Sequence, residues 1–157
     1  MTLLIKNGTL VTASDTFQSD VLVQDEKIAR IQPELELDSV KVIDATGKLI
    51  FPGGIDPHVH LDLPMFDTVS SDDHYTGHKA AAFGGTTTVM DFVPLEVSSP
   101  GERKTGGDGE SPRAGSGDFK YSIDIWLQKA EKAAIDYSFH MNLTQFNEKI
   151  AKQIPSL

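Results

Sequence analysis

The sequence contains no cysteine, which excludes a disulfide framework and any thiolate metal site and leaves histidine and carboxylate as the available ligand types. Positive charge is scarce: 14 Lys and Arg against 23 Asp and Glu give a net charge of −9. No basic stripe is present, so the clustered cations that phosphate binding needs are missing, and nucleic acid is excluded as a partner. No apolar run approaches the length of a membrane-spanning helix, and the apolar part of residues 1–8 is too short for the core of a signal peptide. These absences predict a soluble, cytoplasmic protein that binds neither nucleic acid nor membrane. At 157 residues there is room for one ordinary domain but not for two large ones.

What is present begins with short extended runs. Leu3 to Ile5, Thr9 to Thr12, Val21 to Gln24, Ile28 to Ile31 and Val40 to Ile43 are rich in aliphatic and β-branched residues, and Asn7-Gly8, Asp25-Glu26 and Thr46-Gly47 have turn composition. Residues 1–50 are therefore expected to be an all-β segment that needs a partner to cover its edges. From residue 51 the character changes to alternating strand and helix. Ser70-Ser71-Asp72-Asp73 supplies N-cap residues, Ala80-Ala81-Ala82 a helical interior, and Gly84-Gly85 a stop. The β-branched run from Thr86 to Val93 predicts a strand directly after it. A second helix is expected from Tyr121 to Ala134. A further strand is expected from Tyr137 to Leu143, with Tyr137, Phe139, Met141 and Leu143 on one face and Ser138, His140 and Asn142 on the other. Thr144 is the predicted cap of a last helix from Gln145 to about Ile154.

Between these elements, residues 97–118 hold six Gly, two Pro and four Ser among 22 positions, with only Val97 and Ala114 apolar. Such a stretch buries too little to order itself and is expected to be a surface insertion, either inert or a lid.

The candidate chemistry lies in Phe51-Pro52-Gly53-Gly54-Ile55-Asp56-Pro57-His58-Val59-His60. Successive side chains of a strand point to opposite faces, so a strand over residues 54–60 puts His58 and His60 on one side with Val59 on the other, and two such imidazoles can share a metal. The bare spacing is weak, since chance gives roughly 0.16 such pairs in a chain of this composition, and two structural histidines are the alternative.

Other polar residues rank lower. His140 fits a hydrogen-bonded structural histidine better than a substrate-side group. His74 and His78, an i, i+4 pair without the glutamate of an H-E-x-x-H site, read as a solvated helix face. Asp56, Asp62 and Asp91 lie near predicted strand ends, with structural hydrogen bonding favoured over ligation. Thr86-Thr87-Thr88 is a strand start and not a phosphate loop, because no Lys follows in the required arrangement.

The string from Phe51 to His60, with Leu61-Asp62 after it, resembles the metal-binding signature of the amidohydrolase superfamily, in its hydantoinase and dihydropyrimidinase branch. Ser70 to Asp73, Ala81 to Thr88 and Ile135 to His140 match in the same order. The resemblance implies an α/β fold: residues 1–50 the N-terminal part of a small β-sandwich, and residues 51–157 the first strands and helices of a metal-dependent (β/α)8 barrel, incomplete in this chain. It implies a hydrolase that opens cyclic amides, hydantoins or dihydropyrimidines, with a small-molecule substrate, two zinc ions, His58 and His60 on one of them, and a homo-oligomer when full length. The family's carboxylated lysine, its two further histidines and its catalytic aspartate would lie beyond Leu157. The chain is accordingly expected to be an N-terminal fragment, inactive alone. The competing reading is a non-catalytic homologue of the same fold acting through oligomer or partner contacts, but such homologues typically lose the ligands and both histidines are retained here.

Overall fold

The computed structural model describes residues 1–65, 68–95, 119–143 and 146–156. The chain divides into two compact units, Met1–Pro52 and Gly53–Leu157. The predicted insertion at 97–118 lies outside the described residues, as do Thr144 and Gln145.

In the first unit β1 (Thr2–Val11) is the central strand. It pairs antiparallel with β2 (Thr16–Gln24), which pairs with β3 (Lys27–Gln32), and on its other side it runs parallel to β4 (Lys41–Asp44) and β5 (Leu49–Ile50). The expected turn at Asn7-Gly8 is not one. The strand continues through it, with a register shift between Ile5 and Gly8 and Asn7 at φ 64°. Asp20, buried on β2, holds this bulge by accepting from the Asn7 backbone N–H at 2.8 Å, and its other oxygen accepts from Leu35 N–H at 2.9 Å. Gly8 permits the close approach that follows, since a Cβ there would lie 2.2 Å from the Ile50 side chain. A dipeptide that closes hairpins elsewhere is thus a bulge here, because the partner strand supplies the hydrogen bonds that a turn would have made internally. The other two expected turns form: Asp25 and Glu26 both have positive φ between β2 and β3, and Gly47 has φ 71°. Leu4, Leu22 and Leu35 make the core of this unit, with Val40 against them.

The second unit is built on a parallel sheet in the order β10-β9-β6, from β6 (Gly54–Val59), β9 (Thr86–Pro94) and β10 (Asp136–Asn142). A two-stranded antiparallel pair, β7 (Pro64–Met65) with β8 (Thr68–Val69), follows β6. Helix α1 (His74–Phe83) leads from there to β9. Asp73 caps it, accepting from Thr76 N–H at 2.7 Å, while the Thr76 hydroxyl accepts from Asp73 N–H at 3.1 Å. Gly85, at φ 87°, makes the left-handed exit that a side chain would resist. Helix α2 (Phe119–Lys129) precedes β10 and buries Phe119, Ser122 and Trp126 at helical spacing, with Ala130 continuing the stripe. The last helix, α3 (Glu148–Ala151), is shorter than the sequence implies and is capped by Asn147, whose Oδ1 accepts from Ile150 N–H at 3.0 Å.

The two faces of β9 divide the labour. Val89, Asp91 and Val93 are buried, and Trp126 of α2 and His74 of α1 reach the Asp91 carboxylate on that face. Phe92 lies on the opposite face with the residues of the candidate site. A second cluster joins Leu95, Phe119 and Ile150, with Met141 packed on it, so part of the apolar face expected from Tyr137 to Leu143 is covered by helices of this chain.

Leu4 is 1% exposed and central to its cluster. Leu4→Ala is expected to lower the stability of the first unit by about 2–5 kcal/mol. Urea unfolding followed by circular dichroism checks this, and an unmoved midpoint would show that the cluster is not the unit's core.

Candidate metal centre

Strand β6 ends at Val59, so His60 stands one residue beyond it. The register against β9 shifts between Asp56 and Val59. Pro57 lies in that interval, and a residue without an N–H is accommodated at a bulge more readily than in a regular ladder. The two histidines still emerge together. Their rings are 5.0 Å apart and nearly perpendicular, and the Nε2 atoms approach to 3.3 Å. Two imidazole nitrogens bound to one tetrahedral zinc at about 2.0–2.1 Å stand about 3.3–3.4 Å apart, so the separation matches that of two ligands on one ion, and in the metal-free protein it is also a hydrogen-bond distance. Both side chains are exposed, which leaves the remaining coordination positions accessible.

The floor under the pair is Phe92, whose ring centroid lies 4.5 Å from His58 and 5.3 Å from His60. His140 stacks on the same ring at 4.9 Å. Its Nε2 lies 3.1 Å from the Pro57 carbonyl oxygen; because a carbonyl only accepts, this bond puts a proton on that nitrogen. His140 is therefore a hydrogen-bonded group that bridges β10 to β6 across β9. Asp56 Oδ1 accepts from His58 N–H at 3.1 Å, a local backbone bond of the structural kind expected for it. Among the described residues no cluster of three or more His, Asp or Glu forms a metal site.

Behind the sheet the structure corrects the reading of His74 and His78. They are 1% and 0% exposed, not solvated. Their rings lie 5.4 Å apart and face Tyr137 at 6.5 and 6.1 Å; His74 Nε2 lies 3.5 Å from an Asp91 oxygen, and the His78 ring meets the Ile135 backbone. Helix α1 offers no strong apolar stripe, and its largest apolar residue, Phe83, is 86% exposed. Periodicity could not reveal which face turns inward. Burial pushes the pKa of His74 down against the opposing pull of Asp91, and burial followed by the proximity of His74 pushes that of His78 down.

Asp91 is the residue whose importance the sequence understates. It is 0% exposed. One oxygen accepts from Phe92 N–H at 2.7 Å and Leu61 N–H at 3.4 Å, the other from Trp126 Nε1–H at 3.0 Å, with His74 Nε2 at 3.5 Å. The available signal was a lone carboxylate set between Val89 and Val93 on one face of an alternating strand. Asp62 is likewise structural, pairing with Lys129 at 3.2 Å.

No family model matches the chain. A D-hydantoinase from Geobacillus stearothermophilus is 44% identical over 158 residues, covering all of this chain and 30% of its own length. A dihydropyrimidinase from Dictyostelium discoideum is 40% identical over 99% of this chain and 28% of its own length. Among solved structures, that of a dihydropyrimidinase from Brevibacillus agri superposes with a TM-score of 0.82 at 44% identity, over 99% of this chain and 30% of that one. The chain thus spans about 30% of the length of the relatives it matches. No helix among the described residues is long and apolar enough to cross a membrane.

The two buried histidines make stability depend on pH. Unfolded, they take up protons near the ordinary value of 6.5; folded, they resist until lower pH. Their penalty is absent above about pH 6.5 and grows as pH falls below it. The melting temperature is expected to drop between about pH 7 and pH 5, and to drop less in His78→Leu. Equal slopes in the two proteins would show that these rings are not the titrating groups.

Proposed function

Because the chain is a relative of the hydantoinase and dihydropyrimidinase family along its whole length, we propose that it supplies the first metal-ligand pair of a hydrolase that opens cyclic amide rings. The observation that carries this reading is the convergence of His58 and His60 to 3.3 Å between their Nε2 atoms, on a floor of Phe92 and at the C-terminal end of a parallel strand, where barrel enzymes place their chemistry. Residues 51–157 are then the first β/α units of a (β/α)8 barrel and residues 1–50 part of a β-sandwich.

In this reading His58 and His60 are neutral ligands to one of two zinc ions, each presenting Nε2. When bound, such a metal pair supplies polarisation of the ring carbonyl and hydroxide at neutral pH. The chain's own contribution is orientation: Asp56 fixes the His58 backbone, Phe92 packs against both rings, and His140 fastens the Pro57 carbonyl just before the first ligand. The substrate is a small cyclic amide, a hydantoin or dihydropyrimidine, and the assembled enzyme is a cytoplasmic homo-oligomer. A purely non-catalytic role has no need of two exposed imidazoles held this close.

Two measurements test the proposal. Exchanged for the corresponding stretch of the Geobacillus stearothermophilus D-hydantoinase, this chain is expected to sustain hydantoin opening, and His58→Ala or His60→Ala to lower both turnover and bound zinc by about tenfold or more. Full zinc occupancy and full turnover in the double variant would sink the ligand assignment. The 157-residue chain itself is expected to bind zinc weakly and to open neither dihydrouracil nor hydantoin, because two imidazoles are half of a tetrahedral shell. Zinc-dependent turnover by this chain above a metal-free control would overturn that expectation.

A further inference from the structure

We propose that Asp91 is a positioning residue for the His58–His60 pair, acting through the two residues that follow His60; the inference rests on the metal-site reading above. The segment Leu61-Asp62 is held from four directions. Asp91, fully buried on the helix-covered face of β9, accepts from the Leu61 backbone N–H. The Leu61 side chain fits against α1 at Gly77, where an added Cβ would come within 2.4 Å of it. Asp62 has left-handed backbone, φ 48°, a conformation that persists where surrounding bonds over-determine it. Those bonds are present: Asp62 N–H donates to the Asp72 carbonyl at 2.7 Å, and Lys129 Nζ donates to the Asp62 carbonyl at 2.5 Å and pairs with its carboxylate at 3.2 Å.

The geometry explains why a carboxylate is needed. His60 lies just past the end of β6, so besides the Phe92 ring its direction depends on what anchors the next residue. A buried carboxylate is costly unless its lone pairs are filled. Here Leu61, Phe92 and Trp126 fill them, and each donor belongs to an element of the site: the segment after His60, the floor ring and helix α2. Trp126 and Lys129 lie one helical turn apart on α2, and the Lys129 ammonium sits 4.3 Å over the Trp126 ring, so one helix holds both ends of the clamp.

The test compares the wild-type protein with Asp91→Asn, which keeps shape but loses charge and one acceptor, and with Val93→Ala, which weakens the same face of β9 without touching the clamp. Amide exchange at Leu61 is measured by mass spectrometry in the metal-free protein, and zinc affinity by competition with a chromophoric chelator. Asp91→Asn is expected to speed Leu61 exchange and to weaken zinc binding by about tenfold or more, with Val93→Ala within about twofold of wild type in both. Where Asp91→Asn fails to fold, Lys129→Met releases the same segment from its more exposed side and is read by the same pair of measurements. Unchanged exchange, faster exchange with unchanged zinc affinity, or an equal effect of Val93→Ala each overturns the proposal. The zinc measurement is made both on this chain and on the D-hydantoinase carrying it; if neither takes up zinc through the pair, the metal-site reading fails, and Leu61 exchange alone then decides whether Asp91 anchors the segment.

Discussion

The carboxylate of Asp91 is the point on which the second unit depends. A carboxyl group with no exposed surface is tolerated because Phe92 beside it and Leu61, Trp126 and His74 from three other segments converge on it, and the last three would be elsewhere in a different packing. Its bond to Trp126 fixes how α2 lies on β9, its bond to Leu61 fixes how the chain leaves β6, and its approach to His74 fixes the inner face of α1. Removing the Trp126 donor would leave one buried oxygen short of a hydrogen bond, the costly half of the asymmetry between satisfied and unsatisfied polar groups.

The first unit uses the same device at smaller scale. Asp20 is buried and receives the backbone N–H groups of Asn7 and Leu35, which fixes a bulge in β1 and the entry of Leu35 into the core. In both units a single carboxylate on a strand terminates backbone donors that the ladder leaves over. That is a general consequence of irregular strands: wherever the register shifts, an amide loses its partner and something must accept from it.

The exposed face of the β10-β9-β6 sheet contrasts with this. There His140 and Asp56 serve the backbone, while the His58 and His60 side chains stay exposed. His58 and His60 present nitrogens toward one point, and the ring under them is apolar and offers no competing donor. Ordered support on one face and exposed imidazole nitrogens on the other is the arrangement that metal ligation asks of a site.

Much of this was determined by the sequence alone. The alternation from residue 86 to 93, a helix cap within Ser70 to Asp73, the glycine exit at Gly84-Gly85 and the same-side emergence of His58 and His60 are local properties, set within a few residues by backbone sterics and hydrogen bonding, and the structure has them, with Asp73 as the cap. Asn7-Gly8 shows the limit of such reasoning, because the dipeptide suits a turn and a bulge equally and only the neighbouring Asp20 chooses. His74 and His78 show it again. Their spacing defines one face of α1, but whether that face meets water or Tyr137 and Phe139 depends on a strand some sixty residues later, and a helix without an apolar stripe carries no record of that choice. Asp91 is the extreme case: a lone carboxylate in a strand is unremarkable until the fold surrounds it, because hydrogen bonds between residues 30 and 35 positions apart exist only once the tertiary structure has brought them together.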